Sequence, residues 1–102
     1  DIIINYISIH QSKGSRLRPA IVFIENDLDI TVCFITTQTS RQEETDFILK
    51  PNSTNGIKKE SLVRTGKIAT IDKNFAKGLL GRLSKSEIAV LNENLKIVLQ
   101  LS

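Results

Sequence analysis

The side chains of this 102-residue chain that could do chemistry are mainly arginines and hydroxyls. The candidates are Arg16, Arg18, Thr36, Thr37 and Arg64, with His10 as the one imidazole. A guanidinium stays charged and can form bidentate hydrogen bonds with phosphoryl oxygens, and hydroxyls add further hydrogen-bond donors. On a concave β surface these groups would suit RNA backbone cleavage, in which a 2′-hydroxyl attacks its own phosphorus and charge grows on the phosphoryl oxygens. Such chemistry needs no metal ion where arginine supplies the positive charge.

Motifs of the common cofactor and metal enzymes are absent from the sequence. The chain has no Cys/His cluster, no Walker A pattern, no GxGxxG and no GxSxG elbow. We therefore expect no metal and no nucleotide cofactor. A Ser-His-Asp arrangement could use only His10, and no recognisable spacing supports one.

The composition is that of one small, basic globular domain, which we expect to span residues 1–102. A net charge of +3 favours an anionic partner without selecting one. Cys33 lies in an apolar run with no second cysteine to pair with, which indicates a structural thiol in a reducing cytosol. No run is long enough to cross a bilayer, so we expect a soluble cytoplasmic protein without a membrane partner. Because the chain begins at Asp1 in strand-like sequence, we also expect residues before it.

The stretch Gly14–Ile24 must position the first arginines. Its apolar part, Ala20–Ile24, predicts a strand buried on both faces, with Pro19 at the first position, where no ladder N–H is lost. A Gly-Ser turn is predicted to precede it. Arg18 would then lie at the mouth of a buried strand, where a cation is held rigidly while facing solvent. The alternative is an ordinary surface-loop arginine beside a core strand.

The rest of the pattern predicts a mainly β chain with a late helix. Further strands are predicted over Ile2–Ile9, Ile30–Thr37, Thr45–Leu49 and Ser61–Ile71, the second of these pairing with Ala20–Ile24 as a hairpin. The polar segment His10–Arg16 predicts a mobile loop, Asn55-Gly56 a turn, and Gly66 a bulge or close approach. Short strands without alternating helices favour a small, strongly curved sheet or barrel.

Ser84 and Glu87 form a capping-box pattern that predicts the start of the helix. Apolar residues then recur at helical spacing and predict a face packed on the sheet: Ile88, Leu91, Leu95 and Val98. Others widen this stripe, so that part of it is predicted to contact another subunit: Ala89, Val90, Ile97, Leu99 and Leu101.

In the order of its blocks, the chain resembles the PemK/MazF family of toxin–antitoxin endoribonucleases over nearly its whole length. The blocks are Asp1-Ile2, Leu17–Val22, Phe34–Gln38, Ser61–Arg64, Thr70–Lys73 and Leu80–Ser84. The resemblance implies an SH3-like barrel of five to seven strands with a C-terminal helix. It also implies a homodimeric type II toxin that cleaves single-stranded mRNA without a metal, in a groove that includes the dimer interface. A small antitoxin would cover the same groove.

The resemblance also implies roles for single residues. Arg18 matches the arginine that begins the second strand and is treated as catalytic, and Thr36 matches its usual hydroxyl companion. Arg64 falls where one branch of the family has another functional arginine. Outside the family context, Thr36 could be satisfied within its ladder and Arg64 could be a solvated strand residue.

The loop His10–Arg16 is predicted to form one rim of the RNA groove. The predicted RNA-binding residues are Lys13, Arg16, Thr37 and Gln38. His10 is a candidate general acid or base, with a solvated rim residue as the alternative.

The chain departs from the family at three places. Ile7–His10 replaces a Phe-Pro-Phe-Thr-like run, and Lys67 and Ala69 replace a glutamine and an arginine. Gly66 stands where the branch that uses Arg64 carries an acidic residue, so we expect no carboxylate base at that position. Proton transfer would then fall to His10 or to an arginine-assisted hydroxyl, or the protein would be a catalytically weak RNA-binding member.

Two other function classes remain open. A non-enzymatic toxin of the same fold could bind and inhibit DNA gyrase, but a pure binder would not need Arg18 with Thr36. An SH3-like interaction module would need an aromatic groove for proline-rich ligands. Four Phe, one Tyr and no Trp supply such a groove poorly.

Overall fold

Six antiparallel strands form one curled sheet with a helix at the C-terminal end. The computed structural model describes residues 1–100, and of Gln11 only the backbone. The elements are β1 (Ile3–Gln11), β2 (Gly14–Glu25), β3 (Asp29–Thr36), β4 (Phe47–Leu49), β5 (Ser61–Asp72), a 3₁₀ turn (Lys73–Phe75), β6 (Ala76–Arg82) and α1 (Lys85–Val98). The strand order is β4-β5-β3-β2-β1-β6. This confirms the predicted mainly β fold with a late helix and a strand number between five and seven.

The two ends of the sheet meet at the connection between β4 and β5. The Arg82 N–H of β6 donates to the carbonyl of Thr54 in that connection, at 2.9 Å. A Cβ on Gly81 would lie 2.4 Å from the carbonyl carbon and oxygen of Asn55, so only glycine permits this approach. The contact curls the sheet towards the barrel that was predicted. Gly56, at φ +72, provides the predicted turn.

Apolar residues of β2 and β3 are buried on both faces of the sheet. Ile21 and Cys33 belong to a core cluster that also contains Leu91 of α1, while Ala20 and Val32 belong to a second cluster. The predicted strand buried on both faces is therefore confirmed for residues 20–22. Strand β2 pairs with β3 as the predicted hairpin.

Helix α1 begins as its capping box predicts. Ser84 Oγ accepts a bond from the Glu87 N–H at 3.3 Å, and Glu87 Oε1 accepts one from the Ser84 N–H at 2.7 Å. Leu91 is fully buried, and Ile88 and Leu95 pack against the same cluster. The wider apolar stripe is exposed at Ala89, Val90, Ile97 and Leu99, whereas Leu101 lies outside the described residues.

The predicted loop over His10–Arg16 is wrong. Strand β1 pairs with β2 as far as Gln11 opposite Gly14, so a two-residue turn joins two long strands. Gly14 has φ +119, which a side chain would strain. Residues 12–17 are exposed, and a ribbon with no buried face shows no alternation of apolar and polar residues. Its polar sequence therefore looks like a loop.

The predicted position of Pro19 is wrong, and one strand was missed. Pro19 does not begin a strand but lies within β2, opposite Tyr6 of β1. The β2–β3 ladder ends at Ala20, so no backbone hydrogen bond from residue 19 to β3 is required and proline is tolerated there. Strand β6 was not predicted, because Gly78 and Gly81 give it low strand propensity.

Within residues 1–100, no helix combines the length and apolar character needed to cross a bilayer.

Candidate functional site

A cleft of about 650 Å³ opens where β2, β3 and β5 leave their paired regions. Three of the four candidate catalytic residues line it, namely Arg18, Thr36 and Arg64. Three of the four predicted RNA-binding residues line it too, namely Arg16, Thr37 and Gln38. The structure therefore brings together six of the eight site residues that were predicted from residue types and from the family resemblance.

Arg18 and Thr36 lie just beyond the end of the β2–β3 ladder. The last paired residues of the β2–β3 ladder are Ala20 and Phe34, and each candidate lies two residues beyond its own end. Antiparallel strands that keep this register carry the two side chains on one face. The Arg18 backbone is held from the other side by pairing with Ile7 of β1. A half-buried guanidinium and a hydroxyl thus face the same space.

The Thr36 hydroxyl is oriented by the chain that follows it. The Gln38 N–H donates to Thr36 Oγ1 at 3.2 Å. This contact occupies a lone pair of the hydroxyl and leaves its proton free to donate to another group. Thr36 also pairs with Leu62 of β5, so the end of β3 is fixed on that side. The hydroxyl can therefore serve as a positioned donor at the cleft.

A bulge in β5 places Arg64. Cys33 pairs with Ile68, and Ile35 pairs with Val63. Between these two pairs the chain advances by two residues in β3 and by five residues in β5, so β5 contains extra residues. The extra residues bend out of the ladder, and Arg64 is one of them. Bulges of this kind redirect side chains beside functional sites. Gly66 lies in the same segment, as its predicted bulge requires.

Two carboxylates contact Arg64. Its Nη2 lies 3.1 Å from Glu43 Oε1, and its Nε lies 3.1 Å from Asp46 Oδ2. The Nε–H does not point at that oxygen, so the second contact is ionic and not a hydrogen bond. Arg64 is 20% exposed and paired, which rules out the alternative of a freely solvated strand residue.

Positive charge dominates the cleft. Among the described residues its lining includes four cations, Arg16, Arg18, Arg64 and Lys67, and no carboxylate. Apart from Arg64, these cations make no ion pair within residues 1–100. A concave surface with this lining attracts polyanions. Across the same residues, no three His, Cys, Asp or Glu side chains gather as a metal site would require.

The chain matches the profile of a known protein family. The profile of the PemK-like, MazF-like toxins of type II toxin–antitoxin systems matches residues 2–99. The chain belongs to this family. The predicted resemblance to PemK/MazF toxins is thereby confirmed. No curated protein sequence matches the chain significantly.

Solved structures share the fold of this PemK/MazF toxin. The Mycobacterium tuberculosis toxin MazF-mt6 is 22% identical with a TM-score of 0.80, and the match covers 98% of each chain. A mycobacterial endoribonuclease in complex with its cognate antitoxin is 19% identical with a TM-score of 0.73, covering 96% of this chain and 93% of the other. The MazE–MazF complex of Deinococcus radiodurans is 15% identical with a TM-score of 0.69 and the same coverage.

Two candidate residues of the toxin lie away from the cleft. His10 pairs with Ser15 near the tip of the β1–β2 hairpin, and Lys13 lies in the turn that joins these strands. Both are exposed, and neither lines the cleft. The structure therefore does not gather the one imidazole with Arg18 and Thr36.

Four residues at the site were missed in the sequence. Ser61 and Lys67 line the cleft, and Asp46 and Glu43 contact Arg64. Position 66 carries no carboxylate, but the connection before β4 supplies two to Arg64. Polar residues in a connection carry no local signal for this role, since the contact joins segments 18 residues apart.

The Cys33 thiol is buried in the core. Desolvation by burial raises the pKa of this thiol from 9.0 to about 12. The thiol is therefore neutral at physiological pH and takes no part in the chemistry of the cleft.

Proposed function

We propose that this toxin is an endoribonuclease that cleaves single-stranded mRNA without a metal ion, with the scissile phosphate in the cleft beside Arg18 and Thr36. The observation that carries the proposal is the placement of these two residues, each two positions beyond the last β2–β3 pair, on one open cationic cleft. A guanidinium and a hydroxyl at one phosphate supply charge and a hydrogen bond to the phosphoryl oxygens.

The proposed reaction is a transfer within the RNA. The 2′-oxygen forms a bond to the adjacent phosphorus, and the bond from phosphorus to the 5′-oxygen of the next nucleotide breaks. The 2′-hydroxyl loses its proton, the leaving 5′-oxygen gains one, and a 2′,3′-cyclic phosphate results. Arg18 stabilises the charge that grows on the phosphoryl oxygens, and Thr36 donates its proton in a hydrogen bond to one of them.

The remaining cations suit the flanking phosphates of the strand. Arg16 and Lys67 line the cleft on different strands, β2 and β5, and neither makes an ion pair within the described residues. Phosphate contacts of this kind position a nucleic acid without reading its bases. Thr37 and Gln38, which are exposed beside Thr36, would contact the same strand.

The proposed partners are a cognate antitoxin and a second copy of the chain. Two of the structural neighbours are complexes of a toxin with its antitoxin. An antitoxin that presents acidic groups would fit the cationic cleft and exclude RNA from it. The exposed apolar residues of α1 suit contact with a second copy, and both mRNA and antitoxin would be met in the cytoplasm.

Incubation with a long single-stranded RNA in EDTA tests the proposed activity. We expect the wild-type protein to cut the RNA and the Arg18→Ala variant to be slower by about 100-fold or more, because a group that stabilises the transition state is lost. The same RNA with 2′-O-methyl groups lacks the nucleophile and should stay intact. Wild-type cleavage by Arg18→Ala, with an unchanged melting temperature, would contradict the proposal.

A further inference from the structure

The connection between β3 and β4 brings two carboxylates of different character to one arginine. Asp46 has a side chain that is 1% exposed, whereas the Glu43 side chain is 60% exposed. Both lie 3.1 Å from nitrogens of Arg64. The difference in burial implies that the two carboxylates have different effects on Arg64.

Asp46 is held rigidly by its own segment. Its Oδ2 accepts the Glu43 N–H at 3.0 Å, and its N–H donates to the Glu43 carbonyl at 3.1 Å. Gln42 Nε2 donates to the Asp46 carbonyl at 3.3 Å. The carboxylate therefore cannot turn away without breaking this small network, and its conformational entropy is already lost before RNA binds.

A buried carboxylate is costly to desolvate unless it is paired. Here the partner is a residue of the β5 bulge, where the ladder with β3 is interrupted after Val63. Because the ladder is interrupted there, sheet pairing alone does not set the direction of the Arg64 side chain. The ionic contact with Asp46 supplies the missing constraint and keeps the guanidinium at the cleft.

The contact with Glu43 is different, because a solvent-exposed ion pair contributes little and is screened by salt. Glu43 contacts Nη2, one of the two terminal nitrogens with which a guanidinium binds a phosphate. A phosphate of the RNA can replace this exposed carboxylate at low cost, whereas it cannot displace buried Asp46.

We propose that Asp46 is a positioning residue that directs the Arg64 guanidinium towards a phosphate of the RNA, and that Glu43 is a counter-ion which this phosphate displaces. The proposal rests on the proposed ribonuclease function and adds a role for two residues outside the cleft lining. Arg64 contacts the substrate, and Asp46 acts only through Arg64.

The chain offers a matched pair of variants, Asp46→Asn and Glu43→Gln, which make the same chemical change on the same arginine. We expect Asp46→Asn to lower single-turnover cleavage at saturating RNA by about 10- to 100-fold, because a misplaced group loses its contact with the transition state. Glu43→Gln should keep the cleavage rate and bind 2′-O-methyl RNA as tightly as wild type or more tightly. Wild-type cleavage by folded Asp46→Asn, or equal losses in both variants, would overturn the proposal.

The Arg64→Gln background distinguishes a positioning role of Asp46 from a purely structural role. There, adding Asp46→Asn should not lower the cleavage rate further, because the residue through which it acts is gone. The double variant leaves neither charge of the buried pair, so it can be measured if Asp46→Asn alone does not fold, and the melting temperature of Arg64→Gln shows whether the reference variant is folded. An additional loss in the double variant would show that Asp46 acts independently of Arg64.

The Arg18→Ala variant in the same assay distinguishes the two proposals. If it cleaves like wild type, the proposed site fails whatever Asp46→Asn does. If wild type cleaves no RNA, the positioning proposal is decided by affinity for 2′-O-methyl RNA. Weaker binding by Asp46→Asn and not by Glu43→Gln would then support it, and equal binding by all three proteins would overturn it.

Discussion

Arg18 and Thr36 each lie two residues beyond the last pair of the β2–β3 ladder, and both line the cleft. Each is fixed by a further strand, Arg18 by its pairing with Ile7 and Thr36 by its pairing with Leu62. The backbone of each residue is thus held on one side by a neighbouring strand, and both residues line the same cleft. This is the arrangement that a preorganised phosphate site requires.

Thr36→Val should lower cleavage by about 10-fold, less than Arg18→Ala, because a hydrogen bond from a hydroxyl to a charged phosphoryl oxygen contributes roughly 1.5 kcal/mol. Thr36→Ser is the matched control, since it keeps the hydroxyl that accepts the Gln38 N–H. We expect it to cleave within a few-fold of wild type. Single-turnover rates at saturating RNA measure both, and equal losses in the two variants would argue against a role for the hydroxyl.

His10→Ala should leave both turnover and the pH–rate profile unchanged, because His10 lies near the hairpin tip and does not line the cleft. The measurement is kcat across pH 5–9 for wild type and variant. Loss of one limb of the profile at unchanged RNA affinity would instead identify the imidazole as a proton carrier.

Two cations of one hairpin offer a comparison of binding. Arg16 lines the cleft and Lys13 does not. Arg16→Ala should weaken binding of 2′-O-methyl RNA and reduce the slope of log affinity against log salt by about 0.7, the loss of one single-strand phosphate contact. Lys13→Ala should change both quantities little. A larger effect at Lys13 would place the RNA along the hairpin tip.

We expect the protein to sediment as a dimer at micromolar concentration, because Ile97 and Leu99 leave apolar surface exposed on α1. Ile97→Lys should shift it towards the monomer. Leu79→Lys is a control at an exposed leucine of β6 and should leave the dimer intact. A wild-type monomer at that concentration would exclude this assembly, and dissociation by Leu79→Lys alone would move the interface to β6.

Cys33 should resist alkylation at pH 8 in the folded protein and react after unfolding, because its thiol is buried and neutral. With the pKa raised from 9.0 to about 12, the unfolded chain loses this proton near pH 9 while the folded chain keeps it. Stability therefore falls as pH rises above 9, by about 1 kcal/mol at pH 10. Urea unfolding at pH 8 and pH 10 checks this, with Cys33→Ala expected to lack that component of the pH dependence.

Local features of the fold could be read from the sequence, because their interactions join near neighbours. Ser84 and Glu87 cap a helix across three residues, and the spacing of Leu91 and Leu95 alone predicts which face is buried. The hairpin of β2 and β3 is equally local. The positions of Arg18 and Thr36 at the ends of paired strands could be predicted in the same way, whereas their catalytic roles came from the family resemblance and stay a prediction.

The remaining features depend on contacts between distant segments. The contact between Asp46 and Arg64 joins the β5 bulge to a connection 18 residues earlier, and no periodicity in either segment encodes that approach. The exclusion of His10 from the cleft follows from the β1–β2 register, which extends the hairpin to its two-residue turn. Side-chain types alone determined which chemistry was available, whereas strand register and the bulge decided which of those side chains meet, because both are set by pairing across the whole sheet.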